Sequence, residues 1–380
     1  MALSINRVGY DERLAAVGDI LGGLGLQPSK ISTVAYDDDY KYAFNNFLFK
    51  VDLAAPASRT QFTGTQPGTV KAPSSGHLVR QALAAARLDP LIPDVYAWAP
   101  SRLTDEVKEK DFGWIISEFR AGVDLCTGFH NLPDDVREDV LEQIATAFAA
   151  IQAIKLPETV SKFGGMAFDE KVKLSAGRLL FDKSAPCPVI RSWKKDGVDA
   201  RIEQFLSSNG PEKTLSDVDL AQKRLVHADF TANNMLFDEH GNKISAILDF
   251  DSSVISNPFE EYLTSFTDLG GCVGSGYNDA KAAILKGDFG SPPAELSEDG
   301  RREWELAKTW KAIADKKGVL LPSKMKGADQ IMDLIEFQNL LCPYRLSSAA
   351  MLEEMNETEK AELRDETKVR IVQWLAQHGF

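Results

Sequence analysis

Cysteine is scarce in this chain, and where it occurs it is scattered. Cys126, Cys187, Cys272 and Cys342 form no C-x-x-C pair and no dense cluster. That spacing excludes a disulfide framework and a cysteine-based zinc site, and it reads as reduced thiols in a cytosolic protein. Long apolar runs are missing too, none approaching the roughly twenty residues that cross a bilayer. The opening MALSINRVGYDERLAAVG carries charge where a secretory signal would place its apolar core. A soluble, cytoplasmic protein without a membrane partner is expected. Positive charge is in deficit, 43 Lys and Arg against 56 Asp and Glu, for a net charge of −13. The balance argues against nucleic acid or an anionic membrane as the main partner and is compatible with a cationic small molecule. No protein partner is evident, and no repeat of solenoid length is present. What the chain does have is 380 residues, 44% of them hydrophobic. That is enough for a full core, most simply in two lobes with a cleft.

The informative stretch is Leu225 to Asp251, LVHADFTANNMLFDEHGNKISAILDFD. His227, Asp229 and Asn234 stand in the order H-x-D-x-x-x-x-N. Two strand-like runs follow, Met235 to Phe237 and Ile244 to Leu248, joined by the polar link Asp238-Glu239-His240-Gly241-Asn242. That link suits a hairpin turn. A hairpin would bring Asn234, at its start, next to Asp249, at its end. An amide oxygen beside a carboxylate supplies hard oxygen ligands of the kind Mg²⁺ takes, with its other positions left to water and phosphate. Asp229, just before the hairpin, could take the proton of a hydroxyl nucleophile. His227 could take part in catalysis, but its ring is better suited to bracing the loop. Asp251 would share a face with Asp249 if the strand ran on, as an outer or substrate-side group.

Strand, H-x-D-x-x-x-x-N loop, hairpin and Asp together resemble the catalytic and metal loops of protein-kinase-like phosphotransferases. His-Ala-Asp and Leu-Asp-Phe-Asp are similar to the aminoglycoside phosphotransferase and choline kinase branch, and Asn257 to Tyr262 stands where that branch has Asp-Pro-x-x-Asp-Leu. Tyr-Lys-Tyr-Ala-Phe-Asn-Asn-Phe, Val-Tyr-Ala-Trp-Ala-Pro and Thr-Asp-Leu-Gly-Gly are similar to its fungal aminoglycoside-phosphotransferase-like group. The resemblance implies an α+β, protein-kinase-like two-lobe fold. Residues 1–119 would be a small lobe with an antiparallel sheet, and 120–380 a mainly helical large lobe. It implies an ATP- and Mg²⁺-dependent phosphotransferase acting on a hydroxyl of a small, cationic acceptor. Asp229 and His227 would be catalytic, Asn234 and Asp249 would hold the metal, and Asn234 would also serve the nucleotide. Ile115 to Gly122 is similar to the hinge whose main chain meets adenine, which marks Glu118 and Phe119. Glu261 takes the place of the family's stabilising acid.

The small lobe departs from that pattern. Strands are expected at Ile31 to Tyr36 and Tyr42 to Leu53, but their connection, Asp37-Asp38-Asp39, has three acids and no Gly with which to cradle phosphate. Lys50 reads as a solvent-side residue of the second strand. Residues 54–76 read as a loop where the family has a third strand with a basic residue. The next helix, His77 to Leu88, holds no acid, so the sheet is expected to be truncated and Lys71 and Arg80 to lack a carboxylate partner in that helix. The competing expectation is a pseudokinase-like binding protein without a phosphate clamp.

Elsewhere the periodicity predicts helices over 10–24, 135–154, 198–206, 302–316, 328–341 and 357–378, with a helix start at Glu261 to Leu269. Strands are expected at Val95 to Ala97 and Gly113 to Phe119. Residues 158–195 read as irregular and 274–300 as a surface loop. Asp268 reads as an exposed turn acid, with binding of substrate amines the rarer alternative. Glu353 to Glu366, with seven acids and two bases, reads as a solvated helical face.

Overall fold

The computed structural model describes residues 5–34, 46–57, 71–99, 113–168, 174–177, 197–274 and 278–380. Among these the strands are β1 (Pro28–Val34), β2 (Leu48–Leu53), β3 (Val95–Ala99), β4 (Trp114–Ser117), β5 (Val123–Asp124), β6 (Gly164–Phe168), β7 (Leu174–Gly177), β8 (Arg224–Val226), β9 (Met235–Asp238), β10 (Lys243–Ile247) and β11 (Val254–Ser256). The helices are α1 (Ile5–Gly23), α2 (Lys71–Ala85), α3 (Leu125–Gly128), α4 (Asp134–Gln152), α5 (Val198–Ser207), α6 (Gly210–Thr214), α7 (Glu261–Thr264), α8 (Asp279–Lys286), α9 (Glu298–Lys316), α10 (Ala328–Leu341), α11 (Tyr344–Ser347), α12 (Ala349–Glu354) and α13 (Glu357–Gln377). The class is α+β with small antiparallel sheets, as expected. No helix among the described residues is long and apolar enough to cross a membrane.

Contacts divide the chain into two compact units, Met1–Gly177 with Asp229–Ile255, and Arg178–Ala228 with Ser256–Phe380. In the first, β1 pairs with β2, β3 with β4, and β6 lies between β7 and β11. The β9–β10 hairpin carries β5 along its other edge, with Val123 opposite Phe237. Helix α4 buries Val140, Leu141, Ile144, Ala145, Phe148 and Ile151, a three-and-four repeat that gives it one apolar face. Phe148 meets Phe230 with ring centroids 5.1 Å apart. From the same helix Gln143 clamps the hairpin, donating to the Asn242 carbonyl at 3.1 Å and accepting from the Ile244 N–H at 3.0 Å. The loop and hairpin are therefore held by apolar packing on one side and by amide hydrogen bonds at the turn.

The second unit is mainly helical. Phe205, Phe337, Leu340, Ile371, Trp374 and Leu375 form its buried cluster, with Phe337 and Trp374 stacked at 4.0 Å. Helix α9 begins at a Ser297 cap and buries Trp304, Ala307, Trp310, Ile313 and Ala314. Helix α13 opens with an Asn356/Glu359 capping box.

Four expectations are corrected. Helix α2 begins at Lys71, inside the segment read as loop; Pro73 falls in its first turn, where a missing N–H costs nothing. Residues 164–168 and 174–177 pair as strands β6 and β7 in a region read as irregular; Gly-Gly-Met-Ala-Phe carries no strand signal, and pairing decides its state. The segment 274–300 contains α8, capped by Asn278 and closed by a left-handed Gly287. The helix start at Glu261 runs for four residues only, and Ser265 is extended. The Asp37-Asp38-Asp39 connection, Cys187 and the Lys71 side chain lie outside the described residues.

The Thr267-Asp268-Leu269-Gly270-Gly271 run closes against α9. Gly270 has φ +83°, and a Cβ there would sit 2.8 Å from the backbone nitrogen of Ala307. Gly270→Ala is therefore expected to destabilise the protein by about 2–4 kcal/mol, from strain and overpacking together. Gly22→Ala, which meets open space inside α1, is expected to stay within about 0.5–1 kcal/mol of the parent and on the stabilising side. Urea unfolding followed by Trp fluorescence compares the two, and equal midpoints would refute the packing argument.

Candidate active site

Strand β8 delivers the chain into the H-x-D loop. Ala228 has φ +66°, a left-handed conformation that a short side chain tolerates better than a bulky one. Beyond it the loop turns on itself: the Thr231 N–H donates to the Asp229 carbonyl at 3.0 Å and the Asn234 N–H to the Thr231 carbonyl at 3.1 Å. The Asn234 side-chain amide then donates twice to Asp229, to its carbonyl and to Oδ2, both at 2.8 Å. Both residues are half-buried. The carboxylate is thus oriented by its own loop, and with Nδ2 committed the amide oxygen Oδ1 faces elsewhere.

Asp249 joins this pair through the backbone. The Leu248 N–H donates to the Asn234 carbonyl at 2.8 Å, one step beyond the Ile247–Met235 pair of the ladder. Asp249 follows directly, exposed, with φ +56°. It ends the extended run, so the expectation that Asp251 would share a face with Asp249 fails. Instead the Asp251 N–H donates to Asp249 Oδ1 at 3.2 Å, an Asx-type turn. The structure brings Asp229, Asn234 and Asp249 onto one loop and hairpin of the first unit. Among the described residues no three His, Cys, Asp or Glu side chains converge as a ready-made metal cage.

His227 belongs to the second unit and is buried. Glu261 takes two main-chain donors and a hydroxyl there: the His227 N–H donates to Oε2 at 2.8 Å, the Ala228 N–H to Oε1 at 3.0 Å, and Ser265 Oγ to Oε1 at 2.6 Å. Burial pushes the Glu261 carboxyl above its ordinary range, against the lowering effects of His227, Ser265 and the two backbone donors.

Glu118 and Phe119 follow β4. The Glu118 side chain accepts from the Asp94 N–H at 3.1 Å and pairs with Arg120 at 2.9 Å, while its own N–H donates to the Asp94 carbonyl at 2.7 Å. Phe119 is exposed, with the Lys50 ammonium 4.6 Å from its ring centre. Two residues on, Ser245 Oγ of the hairpin donates to the Ala121 carbonyl at 2.9 Å. Gly122, with φ +151°, leaves no room for a Cβ between Ser245 and Phe237. This seats the turn after β4 on the hairpin. Arg80 does find a carboxylate, though not in its own helix. It pairs with Asp94 at 2.9 Å and donates to the Ile92 carbonyl at 2.6 Å. Sequence reasoning missed that pair because Asp94 belongs to a different element, fourteen positions away.

Residues 70–294, more than half of the chain, match the model of the phosphotransferase enzyme family, APH. The chain belongs to that family. A search among curated proteins finds no match. Solved structures similar to this phosphotransferase-family chain include aminoglycoside phosphotransferase APH(2'')-Ib with ADP bound, at 16% identity, 93% of this chain and 97% of that chain, TM-score 0.40. A thermostable mutant of aminoglycoside phosphotransferase APH(4)-Ia, in ternary complex with AMP-PNP and hygromycin B, matches at 16% identity over 94% of this chain and 97% of that one, TM-score 0.42. Spectinomycin phosphotransferase APH(9)-Ia with ADP and spectinomycin matches at 13% identity over 93% and 98%, TM-score 0.37.

Proposed function

We propose that this member of the phosphotransferase family transfers the γ-phosphoryl group of ATP to a hydroxyl of a small, cationic molecule, with Mg²⁺ as cofactor. The observation that carries the reading is the double donation from Asn234 Nδ2 to Asp229. It aims a carboxylate and, on the other side of the same amide, directs a hard oxygen away from it. Asn234 Oδ1 and an exposed Asp249 carboxylate fit Mg²⁺, which takes few protein ligands beside water and phosphate. Bound there, the metal would neutralise charge on the transferring phosphoryl group.

Asp229 would accept the acceptor's hydroxyl proton and align its oxygen. His227 and Ala228 would contribute through a backbone fixed by Glu261. Glu118 and Phe119 would mark the main chain that meets adenine, in the turn seated on the hairpin; residues 1–119 would form a small lobe and 120–380 a large one. The net charge of −13 favours approach of a cationic acceptor over an anionic one.

A thermal-shift titration with ATP tests the reading. ATP with Mg²⁺ is expected to stabilise the protein by about 2.7 kcal/mol at a hundred times Kd. Asp249→Ala, which also loses the Asx bond from the Asp251 N–H and puts Ala at φ +56°, is expected to lower the ligand-free melting temperature slightly and to lose most of the Mg²⁺-dependent increment. No stabilisation of the parent by MgATP would favour a binding protein without nucleotide chemistry, and full MgATP-dependent turnover by Asp249→Ala would overturn the metal assignment.

A further inference from the structure

Asn46 stands just ahead of β2, more than two hundred positions from the metal loop. Yet its side-chain amide Nδ2 donates to Asp251 Oδ2 at 3.3 Å. The Asp251 N–H in turn donates to Asp249 Oδ1 at 3.2 Å. All three residues belong to the first unit.

The near end of this connection is anchored. Phe47, the next residue, lies under the Arg13 guanidinium of α1 at 4.5 Å from its ring centre. Tyr10 of the same helix sits 6.4 Å from the Phe47 ring and 5.7 Å from that of Phe49. The far end is the turn at Asp249. Asp249 is exposed, holds a left-handed φ of +56°, and stands outside the β9–β10 ladder. A carboxylate in that position swings about χ1 unless something fixes the turn that follows it.

We propose that Asn46 and Asp251 form a strut that sets the orientation of Asp249, so that Asn46 is a positioning residue for the metal–nucleotide site. Asn46 touches neither phosphate nor acceptor in this role. It holds Asp251, whose backbone N–H occupies Asp249 Oδ1 and leaves Oδ2 as the oxygen that would serve the metal. The assignment rests on the phosphotransferase reading above, and it adds a residue outside the H-x-D-x-x-x-x-N loop and the hairpin.

Binding of Mn²⁺·AMP-PNP, followed by the electron paramagnetic resonance signal of free Mn²⁺, tests it without relying on turnover. Asn46→Ala is expected to weaken binding about tenfold, the size of losing one hydrogen bond to a charged group. Asp251→Ala should weaken it by at least as much. The double variant should be no worse than the weaker single one, because both remove the same strut. The exchanged pair, Asn46→Asp with Asp251→Asn, keeps an amide facing a carboxylate and is expected to recover most of the affinity, whereas Asn46→Asp alone sets two carboxylates against each other and is expected to be the worst of the set. Unchanged binding in Asn46→Ala, or effects of the two Ala changes that simply multiply, would overturn the strut alone. Failure of the parent itself to bind Mn²⁺·AMP-PNP would overturn the phosphotransferase reading and the strut with it. Matched melting temperatures across the set distinguish lost positioning from lost folding.

Discussion

Asp229→Asn is expected to lower kcat by about 10²–10⁴-fold while leaving the KM for ATP within about threefold of the parent. The change removes basicity and little else. An Asn carbonyl oxygen can still accept the 2.8 Å bond from Asn234 Nδ2 that the Asp229 carboxylate now accepts. The second bond, to the backbone carbonyl of residue 229, is untouched. The loop should therefore keep its shape, and the loss should fall on proton acceptance and alignment of the acceptor oxygen. Asp229→Ala behaves differently, because it also releases Asn234. It should weaken metal–nucleotide binding as well, and combining it with Asn234→Ala should add less than the two separate losses, since both break one unit. Steady-state kinetics on each variant separates these outcomes. A kcat for Asp229→Asn above about a tenth of the parent's would show that Asp229 is not the proton acceptor, given the general-base contribution expected of such a group.

The residues of this candidate site were legible because they lie within one short stretch of sequence and because a hairpin has a strong local signature. Met235, Phe237, Ile244 and Ile247 alternate or cluster around a polar link with Gly, and the antiparallel pairing follows. Helices α4, α9, α10 and α13 were legible for a related reason: an apolar face repeated over many residues is a signal that tertiary context does not need to supply. What was not legible depends on partners far away in the chain. The β6–β7 pair contains two adjacent glycines, and its strand state is set by its neighbours. The short helix α8 did carry signals, Asn278 before it and Gly287 after it, but they were masked by the surrounding Gly and Pro. The Arg80–Asp94 pair, the Asn46–Asp251 contact and the left-handed turn at Asp249 leave no periodic trace. A Tyr-Lys-Tyr-Ala-Phe-Asn-Asn-Phe run can be matched to a family, but nothing in its spacing tells that Asn46 reaches residue 251.

Glu261→Ala is the substitution expected to harm the fold most within this set. Glu261 is buried, and its two oxygens take three donors, the N–H groups of His227 and Ala228 and the Ser265 hydroxyl. Alanine would leave two main-chain donors and a buried hydroxyl without their acceptor. Each such group costs about 1–3 kcal/mol when fully buried, and Ala228 is only half-buried, so a loss in the lower part of that sum, on the order of 3–5 kcal/mol, is expected, with turnover falling because residue 228 directly precedes Asp229. Glu261→Gln should be milder, since one oxygen remains, but its NH₂ faces a donor and cannot replace the second. The two variants also differ in pH dependence. Burial raises the folded carboxyl above its ordinary value of 4.5. Between the unfolded and folded values the native state therefore binds more protons than the unfolded one, and stability declines as pH rises. The contribution is fully present below the unfolded value and is lost as pH climbs through the raised folded value. Gln does not titrate, so the stability advantage of the parent over Glu261→Gln should shrink as pH is raised from about 4.5, with the sign set by that linkage. Urea unfolding at a series of pH values measures it. A parent advantage that grows with pH in that window would mean that the three donors outweigh burial and hold Glu261 ionised.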